Sequence, residues 1–484
     1  MSESDRRTIE AGTPQDVLME RAGHAVARAV RRISGGAYGA RALIVCGKGN
    51  NGGDGLVASR VLTGWGVRVE VMKLFDGIDR AAFTRALGRQ PVFVDAMFGT
   101  GFQGKLDDDA AWVATAVSRS GVKVVAVDIP SGVDGRTGAV VAEAVRADVT
   151  VTFAALKPGL VCQPGRSYAG DVEIVDIGIE LAVELGAAAL GETEAADVAA
   201  WLPRREVDTH KWAVGGVMVV GGSGGMIGAP TLVSHAALRA GAGIVWCGLP
   251  GTDAAGRASG TEVITKALPE TPGGSLDETA AGVVLQGLDR FGALVVGPGL
   301  GSDLHTRRAV ADLVAAAPVP LVLDADGLNA LHGDLGPLHE RHAAQSEATV
   351  LTPHEAEFAR LFGRPVGDDR VESARIAAQD SDSVVLLKGA TTVIAAPDGR
   401  AALNPTGSPW LATAGTGDVL SGIVGAFIAR GVPALEAAIA AAWVHGRAVD
   451  FIEPAGPTGM IASDLVEAIP RTLVALDRGE LREA

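Results

Sequence analysis

The sequence predicts an α/β protein of two domains, each built on a largely parallel sheet. Three observations carry that prediction. At 484 residues the chain exceeds what one hydrophobic core usually organises. Short, continuous β-branched runs alternate with helical stretches, the pattern of parallel strands covered on both faces. Glycine and acidic clusters recur where those runs end, and open α/β sheets bind ligands beyond the carboxyl ends of their strands.

In the first block the strand-like runs are 42–46, 67–73, 92–95, 123–128 and 148–153, with a last one at 172–177. Helices are expected at 55–62 and 110–118 among them. Residues 180 to about 206 are Ala-rich and acidic and read as a connecting helix and linker. The boundary is placed near residue 190, giving domains of 1–190 and 191–484. The second block restarts with a strand at 216–220, followed by strands at 244–248, 293–297, 321–324, 349–352, 384–388 and 392–396. Its helices are expected at 230–240, 307–316, 354–362 and 434–450. No repeat relates the two blocks.

Composition narrows the function. Hydrophobic residues make up 48% of the chain but aromatics only 4%, so the cores are aliphatic. A net charge of −15 with no long Lys/Arg block argues against nucleic acid or an anionic membrane as partner. Anionic ligands must then be held by backbone amides and a few placed cations. Cys46, Cys162 and Cys247 lie in or beside apolar runs without metal-ligand spacing, and read as buried free thiols in a reducing compartment. The first residues lack an apolar signal core, and no uncharged apolar run reaches membrane-spanning length. The expectation is a cytoplasmic protein, with Ala-rich helices that suit a homo-oligomer.

Gly47-Lys48-Gly49-Asn50-Asn51-Gly52-Gly53-Asp54-Gly55 follows the first strand and precedes a helix. Its glycines let phosphates approach the backbone, and its Asn and Asp side chains suit sugar hydroxyls or an ion. Two later strand ends are acidic. Asp95 leads into Gly99-Thr100-Gly101-Phe102-Gln103-Gly104-Lys105, and Asp128 leads into Ile129-Pro130-Ser131-Gly132. Asp95 and Asp128 are expected to converge with Asn51, and such hard oxygen donors suit an alkali or alkaline-earth cation. Each Asp alone also reads as a helix cap.

These motifs, with Leu18-Met19-Glu20-Arg21-Ala22-Gly23 and Leu156-Lys157-Pro158-Gly159, closely resemble the N-terminal domain of bifunctional NAD(P)H-hydrate repair enzymes. The resemblance implies a Rossmann-like domain that epimerises hydrated NADH or NADPH. It implies a potassium ion held by Asn51, Asp95 and Ser131. It also implies substrate contacts from Asn50, Asn51, Gly52, Gly53 and Asp54, from the loop Gly99 to Lys105, and from Asp128. Chemically, a carboxylate such as Asp128 suits a proton shuttle at the hydroxyl, which is the catalytic role expected of it.

In the second block Ala414-Gly415-Thr416-Gly417-Asp418 opens an apolar helix. A Gly-Thr-Gly turn there leaves backbone N–H groups free for a phosphate, and places the Asp418 carboxylate as a base for a hydroxyl nucleophile. Further strand ends carry Gly221–Gly225 with Gly228-Ala229, Gly297-Pro298-Gly299, Asp324-Ala325-Asp326, Thr352-Pro353-His354-Glu355 and Lys388-Gly389-Ala390-Thr391-Thr392. Singly each is weak: His354 also reads as a cap, and Lys388 as a surface residue.

In this order they resemble the ribokinase-like fold, and more closely the ADP-dependent NAD(P)H-hydrate dehydratase domain. That resemblance implies hydrate contacts at Ala229, Gly299, His354 and Asp418. It implies nucleotide contacts at Lys388, Gly389, Ala390, Thr391 and Thr392 and at Gly415, Thr416 and Gly417. ADP is the implied phosphoryl donor, and magnesium the charge-neutralising ion without a marked site. Trp212, Ile227 and Ala356 depart from the family pattern and leave three local loop shapes open. The alternative reading is an ATP-dependent small-molecule kinase with a non-catalytic N-terminal binding domain.

Overall fold

A computed structural model describes residues 2–179, 190–205, 208–251, 262–344, 347–452 and 458–481. The chain divides into two compact units, Met1–Glu184 and Leu185–Ala484.

The first unit is a six-stranded parallel sheet. Its strands are β1 (Arg41–Cys46), β2 (Arg68–Lys73), β3 (Val92–Ala96), β4 (Val124–Val127), β5 (Val149–Phe153) and β6 (Asp171–Val175), in the order β2-β1-β3-β4-β5-β6. The order reverses between β1 and β3, which opens a crevice at their carboxyl ends. Alternate residues of β1 explain why both faces are covered. Ala42, Ile44 and Cys46 join the core under helices Gln15–Ile33 and Asn50–Gly64, while Leu43 and Val45 join the core under Arg80–Leu87 and Asp108–Ser120. The glycine-rich segment expected as a loop before a helix at 55–62 is itself helical, since the helix begins at Asn50.

The second unit carries ten strands: β7 (Leu190–Glu192), β8 (Gly216–Val220), β9 (Ile244–Pro250), β10 (Ile264–Leu268), β11 (Ala293–Val296), β12 (Leu321–Leu323), β13 (Thr349–Leu351), β14 (Val384–Leu387), β15 (Thr392–Ala395) and β16 (Ala401–Asn404). Their order is β10-β9-β8-β11-β12-β13-β14-β15-β16-β7. Pairing is parallel from β10 to β14, antiparallel from β14 through β16, and parallel again for β7 on β16. Helix Thr416–Ala429 is buried along most of its length and packs beside Gly228–Arg239. Gly422 permits the approach, because an added Cβ would lie 2.3 Å from the Val233 carbonyl oxygen.

The connecting-helix expectation needs correction where it is described. Residues 190–192 form an edge strand paired with β16, and only Ala195–Trp201 is helical; residues 180–189 and 206 lie outside the described residues. Strands β10 and β16 were not expected. Each is short; Lys266 interrupts the apolar run of β10, and Asn404 ends that of β16. All three cysteines are buried and free. No helix among the described residues is long and apolar enough to cross a membrane.

Candidate functional sites

In the first unit a cavity of about 480 Å³ opens at the β1/β3 crevice. It is lined by Asn50, Asn51, Asp54, Gly99, Thr100, Gly101, Phe102 and Asp128, among others. Gly52, Gly53, Gln103, Gly104 and Lys105 do not line it. The turn before the helix needs glycine for space. A Cβ on Gly47 would lie 1.9 Å from the Met97 carbonyl oxygen, and one on Gly52 would lie 2.0 Å from the Gly47 oxygen. The first-turn N–H groups of Asn50, Asn51 and Gly52 have no earlier helical carbonyl to reach, so they remain available at the crevice.

Asp128 follows β4 in a left-handed conformation, φ +65°. Its Oδ1 lies 2.7 Å from Lys157 Nζ and accepts from Thr152 Oγ1 at 3.1 Å. Lys157 is buried, and Nζ also donates to Thr152 Oγ1 and the Phe153 carbonyl, each at 2.8 Å. A buried ammonium with three acceptors fixes the Asp128 carboxylate in place. Asp54 shares the cavity but makes no hydrogen bond or ion pair among the described residues. Burial, and then the charge of Asp128, push its pKa up to about 8.

Behind the crevice Asp95 is fully buried. Its Oδ1 accepts from Ser131 Oγ at 2.6 Å and Met97 N–H at 3.2 Å, and its Oδ2 accepts from Ser131 N–H at 2.7 Å. Burial raises its pKa to about 6 against the pull of those donors. Asn51 Nδ2 donates to the Phe98 carbonyl at 2.7 Å, and Phe98 N–H donates to Ser131 Oγ at 3.0 Å. Asn51 Oδ1 is buried with no hydrogen-bond partner. Asn51, Asp95 and Ser131 thus form one linked cluster with an orphaned oxygen and a desolvated carboxylate. That donor set fits a monovalent cation.

In the second unit Asp418 lies in the first turn of helix Thr416–Ala429. Gly415 caps that helix at φ +89°, and a Cβ added there would lie 4.0 Å from Asp418 Oδ2. The Thr416 N–H, expected as an anion donor, is bonded to the Thr413 carbonyl at 3.3 Å. The donors left without a partner among the described residues are the N–H groups of Gly415, Gly417 and Asp418. Beneath them the buried His445 donates from Nε2 to the Thr416 carbonyl at 2.8 Å. Burial lowers its pKa to about 4, so the ring is neutral and this support carries no charge.

Lys388 reaches this nest, since a Cβ on Gly417 would lie 3.6 Å from its Nζ. It is paired with buried Asp324 at 2.9 Å and with Glu357 at 3.6 Å. Ser421 Oγ donates to the other Asp324 oxygen at 2.6 Å. Burial works to raise the Asp324 pKa, but Lys388 and Ser421 hold it below the ordinary value. For Asp418, burial and then Asp324 raise the pKa to about 7; Lys388 opposes, and Asp326 and Glu357 add.

His354 caps helix Glu355–Phe362, its Nδ1 accepting from Ala356 and Glu357 N–H at 3.1 and 3.2 Å. The cap uses only the backbone of Ala356, so its side chain leaves the turn intact. Gly299 and Ala229 meet, with a Cβ on Gly299 lying 3.6 Å from the Ala229 Cβ. Ile227 simply precedes the helix that bears Ala229. Gly389 to Thr392 turn from β14 into β15 directly after Lys388. Trp212 is no lid. It edges onto Phe291 at 5.4 Å, with Arg290 over its ring at 5.2 Å and over Trp246 at 4.4 Å, around the amino ends of β8, β9 and β11.

The roles of Lys157, Asp324, Glu357 and Ser421 were not anticipated. The usable signal was a lone lysine or acid inside an apolar stretch, where an unpaired charge is too costly to bury.

The sequence profile of the NAD(P)H-hydrate dehydratase family matches residues 217–471, and that of the YjeF-related protein N-terminus matches 15–90 and 78–159. The bifunctional NAD(P)H-hydrate repair enzyme Nnr of Moorella thermoacetica is 40% identical, over 99% of this chain and 96% of that protein. The enzyme of the same name from Salinibacter ruber is 39% identical, over 99% and 95%. Among solved structures, the ADP/ATP-dependent NAD(P)H-hydrate dehydratase from Bacillus subtilis, co-crystallised with ATP and Mg2+, is 29% identical with TM-score 0.50, covering 59% of this chain and 98% of that one. A ribokinase-like superfamily protein from Enterococcus faecalis, 20% identical with TM-score 0.50 over 59% and 96%, shares the fold.

Proposed function

The chain belongs to the family of bifunctional NAD(P)H-hydrate repair enzymes, and from that premise we propose how its residues divide the work. The first unit is the epimerase and the second the nucleotide-dependent dehydratase. Membership across both units leaves no need for the kinase alternative with its inert N-terminal module.

In the epimerase the hydrate carries its hydroxyl beside the ring nitrogen, and its epimers interconvert by loss and re-addition at that carbon. Asp128, held by Lys157 and Thr152, moves the proton at the hydroxyl oxygen. The N–H groups at the start of helix Asn50–Gly64 hold the pyrophosphate. Asn51, Asp95 and Ser131 would hold a potassium ion, which when bound supplies positive potential to a desolvated carboxylate.

In the dehydratase Asp418 takes the proton of the hydrate's hydroxyl as its oxygen attacks the terminal phosphoryl group of ADP. The N–H groups of Gly415 and Gly417 hold the charge on the transferring group. The hydroxyl becomes a phosphate ester, a far better leaving group, and the ring nitrogen's lone pair expels it to restore the reduced nicotinamide. Asp324, Glu357 and Asp418 act on the Lys388 ammonium, and Asp326 adds its charge at Asp418. An anionic nucleotide settles beside them only with a cation, and magnesium would supply that neutralisation.

The observation that carries this reading is the half-buried Asp418 carboxylate in the first turn of its helix, beside the unpartnered N–H groups of Gly415 and Gly417. To separate the two activities, Asp128→Asn protein is given the hydrate epimer that the dehydratase does not consume, together with ADP. Wild-type protein recovers all of it as reduced nicotinamide, and the variant recovers it only at the spontaneous epimerisation rate. Full-speed recovery by the variant removes Asp128 from the mechanism.

A further inference from the structure

The epimerase cavity holds less than a whole dinucleotide, and its rim shows where the remainder goes. Asp128 and Lys157 place the reacting ring at the ends of β4 and β5. The sheet order then leads across β3 and β1 to β2. Three strand spacings from β4 to β2 span about 14 Å, the reach of an extended dinucleotide. The adenosine end therefore arrives at the carboxyl end of β2.

The residues there suit it. Lys48 lines the cavity from the turn after β1, and Lys73 is the last residue of β2, in register with Cys46. Phe75 follows in a short 3-10 turn and is 46% exposed. The Lys48 and Lys73 ammoniums lie 5.7 and 5.8 Å from the centroid of its ring. Neither lysine has a carboxylate partner among the described residues. Asp76, the next residue, is exposed. Folding does not call for two unpaired cations around an exposed phenyl ring, in a chain of net charge −15. In doubly wound sheets the strand after the glycine turn ends at the adenosine ribose, where an acid suits the 2′-hydroxyl and a cation the 2′-phosphate. This chain has a lysine at that end.

We propose that Lys48, Lys73 and Phe75 form the subsite for the adenosine 2′-phosphate end of hydrated NADPH, the ammoniums holding the phosphate and the phenyl ring stacking on adenine. The proposal rests on the epimerase reading of the cavity. It makes the phosphorylated hydrate the preferred substrate of this unit.

The test measures epimerisation alone, without ADP, by following the epimer ratio of each hydrate with the full-length protein. Wild type is expected to show a kcat/KM for hydrated NADPH at least tenfold above that for hydrated NADH, about the worth of one charge-assisted hydrogen bond. In the double variant Lys48→Gln, Lys73→Gln that ratio falls toward one, through KM. Adenosine 2′,5′-bisphosphate should inhibit wild type more strongly than adenosine 5′-monophosphate, and the double variant should respond to both alike. Phe75→Ala should weaken inhibition by both nucleotides. A substrate ratio and an inhibitor ratio that do not change in the double variant overturn the subsite and leave the epimerase standing. Wild-type protein that epimerises neither hydrate overturns the epimerase reading itself.

Discussion

Asp418 gains its role from its neighbours. A carboxyl group that titrates near 7 is matched to proton abstraction at neutral pH, and burial with the Asp324 charge puts it there. The base must be ionised, so the dehydratase rate should fall as pH drops through about 7. Asp324→Asn removes a negative charge and frees Lys388, and both changes favour the Asp418 anion. The acid limb of the pH–rate profile should move about one unit lower in that variant, with Asp326, Glu357 and Lys388 as the remaining charges. A limb that stays in place separates Asp324 from the tuning. Asp54 gives a second prediction, this time of stability. Its folded pKa of about 8 lies above its unfolded value, so the native state holds the extra proton between them. The stability this group contributes is full below its unfolded pKa and is lost as pH rises toward 8, by up to about 1.4 kcal/mol per pH unit. Denaturant unfolding of Asp54→Asn should lack that slope in the first unit's transition.

At the scale of elements, the glycine turns set the sites. Gly47 and Gly52 exist because carbonyl oxygens occupy the space their side chains would need. Gly52→Ala should displace the start of helix Asn50–Gly64, destabilise the first unit by a few kcal/mol and abolish epimerisation. Dehydratase activity should persist, as two melting transitions and separate assays will show. The central strands of both sheets were legible because their β-branched runs are continuous and bounded by glycine. The edge strands β7 and β10, and β16 beside β7, were not, because a strand of three to five residues that contains a polar residue has no periodicity to read. The Asn50–Gly53 segment was misread as loop because glycine and asparagine are poor helix formers, and here tertiary contact overrides propensity. Motif order placed Asp95, Asp128 and Asp418 at their strand or helix ends. It left the partners of those acids unread, since Lys157 and Lys388 meet Asp128 and Asp324 only through the fold.

For the whole molecule, fusing the two activities has a chemical logic, because one unit supplies the epimer that the other consumes. The proposed potassium site of Asn51, Asp95 and Ser131 is tested at this scale, through the stability of the first unit. Exchange of potassium for a bulky organic cation should lower the first unit's melting temperature by several degrees, and leave the second unit's transition in place. The central claim is that Asp418, at its amide nest, activates the hydrate's hydroxyl so that it departs as phosphate. Its most direct measurement uses Asp418→Ala protein mixed with both epimers of hydrated NADH, ADP and magnesium, following reduced-nicotinamide absorbance and the epimer ratio together. The account predicts no nucleotide-dependent recovery while the epimers still equilibrate at the wild-type rate; recovery near the wild-type rate would contradict it.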